Sequence, residues 1–199
     1  MQAIELTEDE KDVLQELMNV AYGNATAVVA EMLDAFATLS IPEIKIMKTS
    51  ELLKHFQERK KTSYFFSSQS FMGEFAGETA FFIDQESANN LALHLELEDD
   101  EDLNDAILEL TNVLTSSLTT KLAGEMGAEI SFAPPSITML PLDKIQEVET
   151  FKQYSQVIVI ETELKFENQQ INAEIYILTK DGSIQWLKKQ LNAILEALI

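Results

Sequence analysis

One spacing constrains this chain more than any other feature. Asp12, Glu16 and Asn19 are followed, after 22 intervening residues, by Pro42. Asp105, Glu109, Asn112 and Pro135 repeat the order, each 93 positions beyond its counterpart. A duplication at a single offset across 199 residues restricts the fold to two like halves, approximately 1–97 and 98–199. The apolar fraction of 46% is that of a globular chain and far above that of a disordered one. Neither half offers enough strands for an independent sandwich. A single domain spanning 1–199 is therefore expected, with the two halves joined about a pseudo-twofold axis so that both apolar sets are buried.

The local signals agree between the halves. Thr7 and Glu10 form a capping-box start, and Val13, Leu14, Leu17, Met18 and Ala21 recur at helical spacing. Gly23-Asn24 suggests a break before a second helical run, Ala25 to Phe36. Pro42 then opens a short strand at Ile44–Ile46, and Ser50 to Glu58 reads as a small helix. Strands follow around Ser63–Ser70 and Glu78–Ile83, then a helix from Ser87 to Leu97. In the second half, Leu103–Leu114 and Thr115–Met126 read as helices stopping near Gly127. Ile137–Leu140 is a short strand, Leu142 to Phe151 has room for a short helix, and Gln156–Phe166 and Ile171–Thr179 alternate as hairpin strands. Ser183 is expected to cap a final helix through Leu198. The fold class is thus α/β of the α+β type. Each half runs helix, helix, strand, small helix, strand, strand, helix, and together they form a mostly antiparallel sheet with helices covering one face.

On a helix, residues at i, i+4 and i+7 lie in a narrow arc. Asp12, Glu16 and Asn19 form one polar stripe, and Asp105, Glu109 and Asn112 form another. Any solvated helix back could show one such stripe. Two matched stripes are different, because their neighbours are not kept: Lys11 becomes Asn104, Gln15 becomes Leu108 and Met18 becomes Thr111. The asparagine has no useful pKa and cannot serve as acid or base, but its amide offers a donor and an acceptor suited to orienting a water molecule. The glutamate can anchor a cation or act as a base. One Glu and one Asn are too few ligands for a dedicated metal site. His55 and His94 fall outside both stripes, and the six glycines form no phosphate-cradling loop. A complete small-molecule active site is hard to assemble here, and a site completed by a partner protein is easier.

Composition narrows the partners. A formal charge of −20 disfavours nucleic acid, whose binding rests on Lys and Arg, and an anionic membrane surface. With no cysteine, thiol catalysis and thiolate metal sites are excluded. The first residues lack the basic start and apolar run of a signal peptide, so a soluble cytoplasmic protein is expected. The acidic run Glu98–Asp102 reads as a solvated linker favouring the next helix N-terminus, not as a metal site.

The residues quoted carry a resemblance. The pattern Asp/Ser-x3-Glu-x2-Asn-x22-Pro is the signature of the CheC/CheX/FliY phosphatases of bacterial chemotaxis, and both copies match it. Asn19-Val20-Ala21-Tyr22-Gly23-Asn24-Ala25 looks like the family's first motif, and Asn112-Val113-Leu114 like the second. Two motifs resemble CheC more than CheX, which carries one working motif and dimerises. FliY adds a C-terminal flagellar switch domain that this sequence is expected to lack. The resemblance implies hydrolysis of the aspartyl phosphate of a CheY-type response regulator. It implies that Glu16 and Glu109 pair with a lysine of that partner, and that Asn19 and Asn112 hold water in line with phosphorus. Asp12, Asp105, Pro42 and Pro135 would then be structural. No cofactor is expected on this chain, since the partner would supply Mg²⁺. The resemblance also brings in the receptor deamidase CheD as a partner, although no residue here identifies that contact. The competing reading is a non-catalytic module that sequesters a phosphorylated receiver or assembles with chemotaxis or flagellar components.

Overall fold

The computed structural model of the protein describes residues 5–40, 43–58, 63–148, 151, 156–179 and 181–197. In chain order the first half holds α1 (Glu8–Met32), β1 (Thr38–Leu39), β2 (Glu43–Lys48), α2 (Thr49–Gln57), β3 (Ser63–Gly73), β4 (Gly77–Asp84) and α3 (Gln85–His94). The second half holds α4 (Asp100–Glu125), β5 (Ile130–Phe132), β6 (Ser136–Pro141), a 3-10 turn (Leu142–Glu147), β7 (Gln156–Phe166), β8 (Ile171–Thr179) and α5 (Asp181–Ala197). The duplication persists to the residue: β1, β2 and β3 each overlap β5, β6 and β7 when shifted by 93.

The eight strands form one sheet ordered β1-β7-β8-β4-β3-β5, with β2 also on the outer edge of β7 and β6 on that of β3. Every described pairing is antiparallel. The halves meet at β4 and β8, where Gly77 lies opposite Thr179. They also exchange two matched bonds. The Asn172 amide donates to Ser87 Oγ at 3.1 Å, and the Ala76 amide donates to Ser183 Oγ at 2.8 Å. Ser183 therefore sits in the first turn of α5 and bonds to the other half. It is not the expected cap; position 180, just before the helix, and the end at Leu198 lie outside the described residues.

Alternation along the strands sorts side chains to two faces. Phe65, Phe71, Phe81, Ile83, Ile158, Ile160, Ile175 and Ile177 pack beneath α1, α3, α4 and α5. Phe66, Phe82, Val157, Val159, Tyr176 and Leu178 point the other way, against Leu52 and Phe56 of α2, Ile145 of the 3-10 turn and Phe151. The expectation that helices cover one face is corrected here. The four larger helices do so, but the two small ones close a second, aromatic core in which Phe56 lies 5.0 Å from Phe82 and 4.9 Å from Tyr176.

A second correction concerns the helices. α1 runs unbroken through Gly23-Asn24, and α4 runs unbroken through Leu114-Thr115. Leu14, Met18, Ala21, Tyr22, Ala25 and Val29 form one continuous buried stripe along α1. Burying that stripe outweighs the roughly 1 kcal/mol that a mid-helix glycine costs. α3 begins at Gln85 rather than Ser87, because Asp84 is the cap and accepts the Ser87 amide at 3.0 Å.

Candidate functional site

The capping box at the head of α1 is formed: Thr7 Oγ1 accepts the Glu10 amide at 3.2 Å and Glu10 Oε2 accepts the Thr7 amide at 2.8 Å. From that start the helix presents Asp12, Glu16 and Asn19 to solvent while Leu14 and Met18 are buried. On α4, Asp105 and Glu109 are exposed and Asn112 is half-buried. Each Glu–Asn pair is thus displayed on a long helix seated on the sheet, with Cβ atoms about 5–6 Å apart as i, i+3 neighbours. Of the neighbours that differ between the halves, Met18 and Thr111 prove to be core residues, and Gln15 and Leu108 are half-buried. Their change therefore reflects different packing beneath the two helices as well as drift on the surface.

The motif's long spacing has a structural cause in the second half. After Asn112, α4 continues to Glu125, turns at Gly127 with φ +71°, and returns along β5. That path ends at Ala133, two residues before Pro135, back at the level of Asn112. Gln69 of β3 bridges the two: its Nε2 donates to Asn112 Oδ1 at 2.9 Å and to the Ala133 carbonyl at 2.9 Å. The 22 intervening residues are the length of chain needed to reach the helix end and come back. Pro135 itself is half-buried in this return segment. In the first half, Pro42 lies outside the described residues. Ser40, two residues before it, is held by Thr162, the residue 93 positions beyond Gln69. Thr162 Oγ1 donates to the Ser40 carbonyl at 2.8 Å. The bridge to the return segment is therefore kept, but no described residue hydrogen-bonds the Asn19 side chain as Gln69 bonds that of Asn112.

The helix carrying Asn19 is also fixed at its head. Glu10 is 1% exposed, and Asn192 Nδ2 of α5 donates to its Oε1 at 2.7 Å. Lys188 Nζ lies 3.3 Å from its Oε2. Burial pushes the Glu10 carboxyl up, but the Thr7 amide, the Asn192 amide and the Lys188 ammonium outweigh it and hold its pKa below the ordinary value. One turn beyond Asn19, burial raises the Tyr22 phenol pKa, with Thr162 beside it lowering it slightly.

A family model described as chemotaxis phosphatase CheX matches residues 65–161. CheY-P phosphatase CheC of Bacillus subtilis (strain 168) is 24% identical over 217 aligned positions, covering 96% of this chain and 97% of that protein. The crystal structure of Thermotoga maritima FliY superimposes with a TM-score of 0.77 at 19% identity, over 96% of this chain and 99% of that one. The chain is similar to the CheC/CheX/FliY proteins in sequence and in fold. The fold is shared more widely: the FliM middle domain from H. pylori superimposes with a TM-score of 0.62 at 14% identity, over 93% of this chain and 99% of that one.

The other candidates lie away from the two stripes. His94 Nε2 is 2.7 Å from the Leu33 carbonyl and ties the end of α3 to that of α1. His55 is exposed, 3.8 Å from Glu161. Asp99 caps α4, its Oδ1 accepting the amides of Glu101 and Asp102, so the acidic run begins a helix as expected. Among the described residues no group of three or more His, Cys, Asp or Glu side chains is placed to hold a metal ion. No described helix is long and apolar enough to cross a membrane. Gln69 is the functional candidate that the sequence pattern alone does not single out. Its signal is a glutamine on the inward set Phe65, Ser67, Gln69, Phe71, where an alternating strand calls for an apolar side chain.

Proposed function

We propose that this chemotaxis-family protein hydrolyses the aspartyl phosphate of a CheY-type receiver domain through two like sites, Glu16 with Asn19 and Glu109 with Asn112. The observation that carries the reading is the display of the same Glu–Asn pair at matched positions on two long helices. In the reaction a water oxygen bonds to phosphorus as the bond from phosphorus to the aspartate oxygen breaks. The products are the free carboxylate and inorganic phosphate, which carries away both of the water's protons as dihydrogen phosphate. Such a displacement needs placement and charge stabilisation more than covalent chemistry. Placement is what an amide supplies, and Glu16 and Glu109 would dock the helix by pairing with a lysine of the receiver. The receiver would bring the Mg²⁺ and the phosphoryl group. Asp12, Asp105, Pro42 and Pro135 would act through the shape of the helix and its return segment. The name of the Bacillus subtilis relative, a phosphatase of CheY-P, supports this choice of substrate.

The reading separates the two residue types. Steady-state kinetics on a phosphorylated receiver should show Asn19→Ala and Asn112→Ala lowering kcat with KM little moved. Glu16→Ala and Glu109→Ala should raise KM. If all four substitutions leave phosphate release unchanged, the reading is wrong. A sequestering adaptor would bind the receiver and leave its phosphate in place.

A further inference from the structure

We propose that Gln69 is a positioning residue of the second site: it locks the Asn112 amide so that Nδ2, a donor, faces the partner, and thereby makes the two sites unequal. The inference rests on the phosphatase reading above and deepens it. The Ala133 carbonyl can only accept a hydrogen bond. Gln69 must therefore turn its NH₂ toward it, and Nε2 is 2.9 Å away. The same NH₂ lies 2.9 Å from the Asn112 side chain, so Asn112 must present its oxygen inward. A backbone carbonyl thus fixes the orientation of both amides, and Nδ2 of Asn112 is left pointing away from the sheet.

Gln69 is poorly explained as packing. It is 2% exposed, and its Oε1 has no hydrogen-bond partner. Burying an unanswered amide oxygen on a core face is a cost that an apolar residue would avoid. Its counterpart Thr162 makes the equivalent bond to Ser40 with a shorter side chain. Holding the return segment therefore does not require a glutamine. What the longer side chain adds is reach to Asn112. An amide held before docking loses less freedom on reaching the partner's phosphoryl site than a free one. Asn112 would donate from Nδ2 to the attacking water or to a phosphoryl oxygen. Asn19, which no described residue bonds, would have to be ordered as the complex forms.

The test uses the full chain and a Mg²⁺-loaded, phosphorylated CheY-type receiver. In wild type, ¹⁵N relaxation of the side-chain NH₂ groups should show Asn112 restrained relative to Asn19. In an Asn19→Ala background, which leaves only the second site, Gln69→Met should free the Asn112 NH₂. It should lower kcat roughly two- to tenfold, the scale of one released side chain, with KM within about twofold. Equal mobility of Asn19 and Asn112 in wild type overturns the proposal without any variant. So does an unchanged or raised kcat in a Gln69→Met protein whose backbone amide spectrum is native. If Asn112→Ala also leaves kcat unchanged in the Asn19→Ala background, it is the phosphatase reading that fails. If Asn112→Ala abolishes turnover and Gln69→Met does not alter it, only the present inference fails.

Discussion

Replacing Glu10 with Gln tests how the head of α1 is held against α5. The carboxylate is 1% exposed and answers three donors: the Thr7 amide at 2.8 Å, Asn192 Nδ2 at 2.7 Å and Lys188 Nζ at 3.3 Å. A glutamine keeps one acceptor oxygen and puts an NH₂ where the second was, so one donor faces a donor. Hydrogen bonds to a charged group contribute about 1.5–3 kcal/mol. Lys188 is partly exposed and keeps its bond to the Glu5 carbonyl, so its share is small. The expected loss is about 2 kcal/mol, or roughly 4–8 °C in Tm for a chain of this size. The pH dependence has a definite sign. The folded pKa of Glu10 lies below its ordinary value, so the carboxylate's contribution is complete above the unfolded pKa. It is lost as pH falls through the folded one. The gap in Tm between wild type and Glu10→Gln should be full at pH 7 and shrink once pH drops below about 4.5. Circular dichroism melts of both proteins at pH 7, 5 and 3.5 give this difference directly, and charge effects common to both cancel. Equal melting points at pH 7, or a gap that widens on acidification, would refute the reasoning.

Two glycines should respond in opposite directions. Gly23 lies mid-helix in α1 with nothing within 4 Å of an added Cβ. Gly23→Ala should therefore stabilise by about 0.5–1 kcal/mol, seen as a higher denaturation midpoint. Phosphatase activity should be unchanged, because Ser116 already occupies the matching place on α4. At Gly77 an added Cβ would fall 2.1 Å from the Leu178 carbonyl oxygen and 2.8 Å from Phe71. Backbone at the seam between the halves cannot yield, so Gly77→Ala should cost about 3 kcal/mol or more, measured by chemical denaturation of whatever folded protein is recovered.

The parts of this fold legible in the sequence were those set by periodicity and by the repeat. The alternation of Phe65 with Phe66 and of Phe81 with Phe82 sends one of each pair to each core, and the hairpin strands β7 and β8 fall where the pattern puts them. The misplaced breaks at Gly23-Asn24 and Leu114-Thr115 share one cause. Local propensity at a glycine or a β-branched residue is weak beside a stripe of side chains buried along most of each helix. α2 and the 3-10 turn were legible as small helices, but their burial of a second core was not, since that depends on which sheet face the connections cross. The Glu–Asn stripes were readable because helical spacing alone puts them on one face. The inequality between them was not, because it depends on Gln69, a residue 43 positions from Asn112 in sequence and brought to it only by the packing of α4 on β3.

The lifetime of the acyl phosphate on a CheY-type receiver with Mg²⁺ tests the central claim most directly. It should be measured alone, with a catalytic amount of wild-type protein, and with the Asn19→Ala/Asn112→Ala double variant. Wild type should shorten that lifetime, and the double variant should lose on the order of 10²–10³ of the acceleration while still binding the receiver. A double variant as fast as wild type would contradict the account, and so would a wild-type protein that binds the phosphorylated receiver and leaves its lifetime unchanged.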